Sequence, residues 1–297
     1  PFFASSKDNL KYTCSSTPHD PLHFAYMKLF PKPDPIPFAL ILLTLLTTVL
    51  IRAKVDTEVL VVPACLIGFV FYIAHLRVKK RTEAMCVLAE SLEMKFEAKK
   101  CDPSTLGLDG IDLFEQGRSR KVLNLIKGTF EDTNAFIFDY HYVTGGGKNS
   151  AKYSQTVIAF KIRSKYGFKL PQFTCKPERF YHRFADVFGF KDIDFEEYPV
   201  FSKAYRLNGD RGDSVRKIFN ETVIRKLEAE SKQRWNVDGS GEWLVIYKND
   251  RIIKPDDCPK FLVDSKNLHD AMMLTYRGYS GLPNATFATL KRTSDSD

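Results

Sequence analysis

The sequence predicts an α+β protein in which an N-terminal two-helix transmembrane hairpin precedes a soluble domain with an antiparallel sheet and helices. Three observations carry this. Two uncharged apolar runs lie close together near the N-terminus. Strictly alternating segments between residues 122 and 162 read as paired strands. Hairpins and helical stretches then alternate without a β-α-β rhythm, which argues against a parallel sheet and for helices packed on an antiparallel one.

Residues 1–26 are polar and mixed, and lack the basic start and apolar run of a secretory signal, and residues 1–35 read as an N-terminal extension. The chain begins at Pro1, while Met27 is followed by a short basic lead and an apolar run. The expectation is a disordered extension with the native start at Met27.

Ile36–Ile51 and Val59–Leu76 carry no Asp, Glu, Lys or Arg. As helices they extend roughly 24 and 27 Å, slightly under the roughly 30 Å hydrocarbon core, a mismatch that flanking Lys and Arg absorb by snorkelling. A buried helical pair has the same composition. Two consecutive uncharged runs joined by the short charged link Arg52–Glu58 favour spans, and so short a link makes them antiparallel neighbours. Ala64 and Gly68 form a small-x-x-x-small pair that permits close approach. Lys28 and Lys32 precede the hairpin, Arg52 and Lys54 lie in its link, and Arg77, Lys79, Lys80 and Arg81 follow it. The positive-inside rule then puts both termini and the soluble domain, residues 77–276, on the cytosolic side.

Composition narrows function. The formal charge is +8, which would suit nucleic acid, but residues 1–81 hold 10 Lys/Arg against 5 Asp/Glu and the remainder 34 against 31. Most of the excess, five charges of the eight, lies in residues 1–81, so a phosphate-tracking nucleic-acid surface is not expected. Cys14, Cys65, Cys86, Cys101, Cys175 and Cys258 show no C-x-x-C spacing. They read as free thiols in a reducing compartment, neither a disulfide framework nor a zinc site.

Within the domain, Thr82–Phe96 has apolar residues at helical spacing and continues the second span. Val122–Phe130 reads as a strand. Ala135–Val143 alternates with Phe136, Phe138, Tyr140 and Tyr142 on one face, expected in the core. The loop Thr144–Lys152 leads to Tyr153–Ile162, with Thr156, Ile158, Phe160 and Ile162 on an apolar face. Helices are expected at Glu178–Phe188, from Asp213 or Ser214 through Leu227, and at Phe261–Tyr276. Phe201–Leu207 reads as a strand, Arg234–Asp238 and Glu242–Tyr247 as a hairpin, and residues 277–297 as a disordered tail.

The chemistry-bearing patterns are weak. Gly145-Gly146-Gly147-Lys148 lacks the first Gly and the Ser/Thr of a phosphate loop and precedes a strand, so it reads as a hairpin loop. Asp139 and His141, two apart on the face opposite the aromatics, suit proton transfer. A solvated strand face is the commoner origin of such a pair, and no nucleophile or third orienting group can be placed beside them from sequence. Asp192, Asp194, Glu196 and Glu197 lack the Gly of a calcium loop and read as a solvated acidic loop. Arg118, Arg120 and Lys121 form a basic cluster suited, like Arg77, Lys79, Lys80 and Arg81, to lipid headgroups. Arg211-Gly212-Asp213 reads as a turn before a helix, and the acceptor triplets at Asn220 and Asn284 lose meaning on a cytosolic domain. No cofactor or metal is expected.

GRSRK at 117–121, FDYHY and TGGGK within 138–148, QTV at 155–157, KPE at 176–178 and DIDFE at 192–196 together resemble an uncharacterised family of bacterial membrane-anchored proteins. The resemblance covers residues 82–275. It implies a bacterial cytoplasmic-membrane protein and no particular activity. The reading that follows is a bilayer-tethered module binding a protein partner or the membrane surface, of open oligomeric state. Its alternative is a membrane-tethered enzyme, a hydrolase, with Asp139 and His141 as candidates.

Overall fold

The computed structural model describes residues 58–162, 169–178 and 192–279, with side chains described except at 58–64, 67 and 274–279. The chain divides into two units, Pro1–Ala84 and Met85–Asp297. The sheet and everything packed on it belong to the second.

The first helix, α1, runs Glu58–Ser91. Among the described residues no helix is long and apolar enough to cross a membrane. Every 18-residue window of α1 starting at or after Cys65 takes in Arg77, Lys79, Lys80 and Arg81. The expected span 36–51 lies outside the described residues, as do the side chains of 59–64.

α1 ends five residues before the spacing predicts. Glu93 adopts φ 55°, Met94 N–H donates to Ala89 O at 2.9 Å and Glu93 N–H to Glu90 O at 3.1 Å. This left-handed reversal is a Schellman closure, which satisfies the last carbonyls and turns the chain out of the helix. Phe96 is therefore on the short strand β1, Lys95–Glu97.

β2 (Arg118–Phe130), β3 (Thr133–Thr144) and β4 (Ala151–Lys161) form a meander. Glu131 and Asp132 both take positive φ in the β2–β3 turn, the backbone of a type I′ hairpin whose twist matches the strands it joins. β5 (Leu170–Pro177), β6 (Tyr205–Gly209), β7 (Asn236–Gly241) and β8 (Trp243–Tyr247) complete one eight-stranded sheet of order β1-β2-β3-β4-β8-β7-β5-β6. Every pairing is antiparallel, as the sequence predicts.

One face carries Ile126, Ile137, Ile158, Phe160, Val237, Leu244 and Ile246 in a core shared with Met85, Leu88, Val215, Val223, Phe261 and Leu262. Those partners come from the end of α1 and from α4 (Gly212–Ile218), α5 (Glu221–Ala229) and α6 (Cys258–Tyr279). The sequence predicts one helix from Asp213 to Leu227; two form. Asn220 breaks it because its carboxamide oxygen caps a new start, accepting from Val223 N–H at 3.1 Å. Phe201 is likewise helical, in α3 (Pro199–Ala204), with β6 starting at Tyr205. The expected helix 178–188 lies outside the described residues beyond Glu178.

The other face holds Phe138, Tyr140 and Tyr142, as predicted, with Val157, Val245 and Tyr247. It is not open to solvent. The segment 101–116, with its helix α2 (Asp112–Glu115), covers it through Leu108, Ile111, Leu113 and Phe114, the last edge-on to Tyr140 at 4.9 Å. Short irregular stretches such as this carry no periodicity, so the cover was not legible.

Candidate functional site

A cleft opens where β7 begins and β8 ends, a position fixed by the Asn236–Tyr247 pair. After α5 the chain makes a single 3-10 turn, Ser231–Gln233, and reverses through Arg234 at φ 54° before entering β7. After β8 it turns again at Asp250, φ 50°, closed by Arg251 N–H on Lys248 O at 3.2 Å. Lys232, Gln233 and Arg234 from the first turn face Lys248, Asn249 and Arg251 from the second across about 200 Å³. Among the described residues none of the four cations is in an ion pair.

Aromatic rings form the floor beneath Lys248. Trp235 stacks on Phe261 with centroids 5.6 Å apart, and the Lys248 ammonium lies 4.8 Å from the first ring and 5.5 Å from the second, a cation–π arrangement. Lys248 also donates to Gln233 Oε1 at 2.7 Å. Partial burial lowers its pKa and the Arg251 charge lowers it further, against Asp264 and Glu230, which hold it up. Glu230 is itself engaged, accepting from Trp235 Nε1 at 2.9 Å and paired with Lys226. The Asn249 carboxamide nitrogen is buried without a hydrogen-bond partner.

The second turn is pinned to β4. Ser154 N–H donates to Asp250 Oδ1 at 3.1 Å, Asp250 N–H to Gln155 Oε1 at 3.0 Å, and Thr156 N–H to Arg251 O at 3.0 Å. Thr156 Oγ1 accepts from Ile253 N–H at 2.9 Å and donates its own proton to Asp139 Oδ1 at 3.1 Å. Asn124 Nδ2 donates to Asp139 Oδ2 at 2.9 Å. Asn124 sits in a β2 irregularity at φ 52°. The loop bearing Lys248 and Arg251 thus hangs from a buried carboxylate.

Asp139 is 1% exposed, which corrects the reading of its face as a solvated one: the loop 250–253 and the Asn124 bulge cover it. His141 is half-buried, its Nδ1 2.6 Å from Ser154 Oγ, its cross-strand register partner. The structure therefore puts a hydroxyl beside His141 that the sequence could not.

A second polar centre is buried on the opposite face. Lys176 pairs with Asp112, both nearly inaccessible, and Gln116 donates to the same carboxylate. Asp238 Oδ2 accepts from Leu113 N–H and Tyr247 OH, each at 3.2 Å. Burial, with Lys176 opposing and Asp112 reinforcing, pushes the Asp238 carboxyl up to about 7. The hydrogen bonds tie the 101–116 cover to β5, β7 and β8.

Arg118 donates to Gly145 O at 2.5 Å, and Arg120 to Phe114 O while pairing with Glu115 at 3.5 Å; Lys121 lies on β2, half-buried. Both arginines hold loops of their own domain. Arg77, Lys79 and Lys80 are exposed and Arg81 half-buried on α1. Asp192 pairs with Arg206 at 2.8 Å. Among the described residues no group of three His, Cys, Asp or Glu is disposed to hold a metal. Among the described residues, Cys65, Cys86, Cys101, Cys175 and Cys258 form no disulfide.

The cleft residues were missed because sixteen residues separate Lys232 from Lys248 and neither turn has a motif. The legible signal was a basic pair, Lys232/Arg234 and Lys248/Arg251, at either end of one predicted hairpin.

No protein-family model matches the chain, and comparison with curated proteins gives no match. One solved structure is similar, that of the mycobacterial trehalose monomycolate transport factor A, at TM-score 0.41 and 10% identity over 69% of this chain and 97% of that one. Likeness at that level supports no functional inference.

Proposed function

We propose that the chain is a membrane-anchored, non-enzymatic binding module whose cytosolic α+β domain takes an anionic ligand, borne by a partner or by the membrane surface, in the basic cleft. The observation that carries this is four cationic side chains lining one depression without ion-pair partners among the described residues. Bringing like charges together costs free energy that an incoming anion recovers. The loop is held to β4 by backbone and side-chain hydrogen bonds, so little ordering cost falls on binding. The uncharged runs 36–51 and 59–76 support the anchor, and the flanking basic residues support the cytosolic orientation in a bacterial membrane.

The test is a titration of the full chain in neutral detergent with inorganic pyrophosphate and with a tetraglutamate peptide, followed by tryptophan emission, since Trp235 lies under Lys248. Saturable quenching by either anion, abolished in an Arg234→Glu/Arg251→Glu variant, is expected. No response to either overturns the reading.

One observation favours a second reading, a tethered hydrolase: the 2.6 Å contact of His141 Nδ1 with Ser154 Oγ is a base–nucleophile distance. Covalent labelling of Ser154 by a fluorophosphonate, lost in His141→Ala, would establish it. Absence of labelling leaves the pair as a cross-strand hydrogen bond.

A further inference from the structure

We infer that the cleft is a phosphate site, taking a compact phosphomonoester in preference to a carboxylate; this rests on the anion-binding reading above. The lining supplies donors almost exclusively. Arg234 and Arg251 each present a guanidinium fork of five N–H groups, Lys232 and Lys248 an ammonium each, and Asn249 a buried carboxamide N–H₂ that finds no acceptor among the described residues. One of the two amide oxygens available, Gln233 Oε1, is already taken by Lys248. The group that binds must therefore be rich in acceptors and carry more than one negative charge.

A carboxylate brings two oxygens and a single charge. A phosphomonoester brings three terminal oxygens and about −1.5 to −2 charges at neutral pH, and its geometry matches the guanidinium fork in bidentate fashion. Size agrees. About 200 Å³ is small beside the roughly 300–1,000 Å³ of sites that enclose a whole drug-sized ligand, and suits a phosphate with a few attached atoms. Of the carboxylates around the cleft, Glu230 is engaged by Lys226 and Trp235, Asp250 accepts from Ser154 N–H, and Asp264, whose charge also acts on Lys248, lies outside the lining.

A free phosphomonoester and a lipid headgroup present the same chemistry, and the experiment separates the two. The full chain in neutral detergent is titrated with glycerol 3-phosphate and, separately, with succinate, reading tryptophan emission. The expected result is saturable binding of glycerol 3-phosphate at least tenfold tighter than succinate. It should weaken at least tenfold in Arg234→Gln/Arg251→Gln, because each charge-assisted hydrogen bond lost costs about that factor or more. Asn249→Asp, which keeps the side chain's shape and adds a negative charge, should weaken it as well, while Arg118→Gln/Arg120→Gln should not. Competition by phosphatidic acid vesicles, with none by phosphatidylcholine vesicles, assigns the phosphate to a headgroup; no competition by either assigns it to a soluble ester. Equal binding of succinate and glycerol 3-phosphate overturns the phosphate assignment and leaves the anion reading standing, whereas binding of neither overturns both.

Discussion

Asp238 makes the stability of the domain fall as pH rises from about 4 to about 7. Its carboxyl is fully buried, and burial pushes it from 3.8 up to about 7 in the folded protein. Between these values the folded state holds a proton that the unfolded state has released. The stabilisation is complete below about pH 4 and is lost as pH rises through about 7. At 1.36 kcal/mol per unit, the loss across that window is about 4 kcal/mol. Asp238→Asn removes the titration. Its carboxamide oxygen can still accept from Tyr247 OH and Leu113 N–H, and Lys176 keeps Asp112. Urea unfolding of wild type and variant from pH 4 to 8, followed through Trp235 and Trp243, both buried in the domain, measures the difference directly. The difference in unfolding free energy should shift in favour of the variant by up to about 4 kcal/mol between the ends of the range. Titrating groups remote from Asp238 cancel in that difference, whereas Lys176 and Asp112 share its field. Parallel curves would refute the assignment of a raised carboxyl to Asp238.

Three further substitutions probe the architecture by the same assay. Asn220→Ala removes the cap that starts α5 and should cost about 1 kcal/mol. Gly239→Ala puts a methyl 2.3 Å from Phe173 Cε1, and Phe173 is wedged edge-on against Phe219, so a loss of about 1–3 kcal/mol is expected. Thr156→Val removes both the acceptor of Ile253 N–H and a donor to buried Asp139; it should cost about 3 kcal/mol and also weaken anion binding, because the loop bearing Lys248 and Arg251 loses its support. A Thr156→Val protein binding glycerol 3-phosphate as wild type does would show that the loop does not need that anchor.

The sheet was legible because its strands alternate. Phe138, Tyr140 and Tyr142 on one face and Ile158, Phe160 and Ile162 on the other follow from a period of two, whatever their neighbours in space. Element ends were less legible, since they depend on single backbone torsions. Glu93 stops α1, and Asn220 splits what helical spacing alone reads as one helix. The face of Asp139 and His141 was misread for a different reason. Its covering loop, residues 250–253, is more than a hundred positions away, and no local pattern announces a bulge at Asn124. The cleft lay beyond reach on the same ground: its cations sit on two turns that only the β7–β8 pairing brings together.

Side-chain NMR of the full chain in neutral micelles, with Arg and Lys nitrogens labelled and glycerol 3-phosphate added, tests the central claim most directly. The account predicts saturable shifts confined to Lys232, Arg234, Lys248 and Arg251. Shifts of equal size at Arg118, Arg120 and Lys121, or none at the cleft, would contradict it.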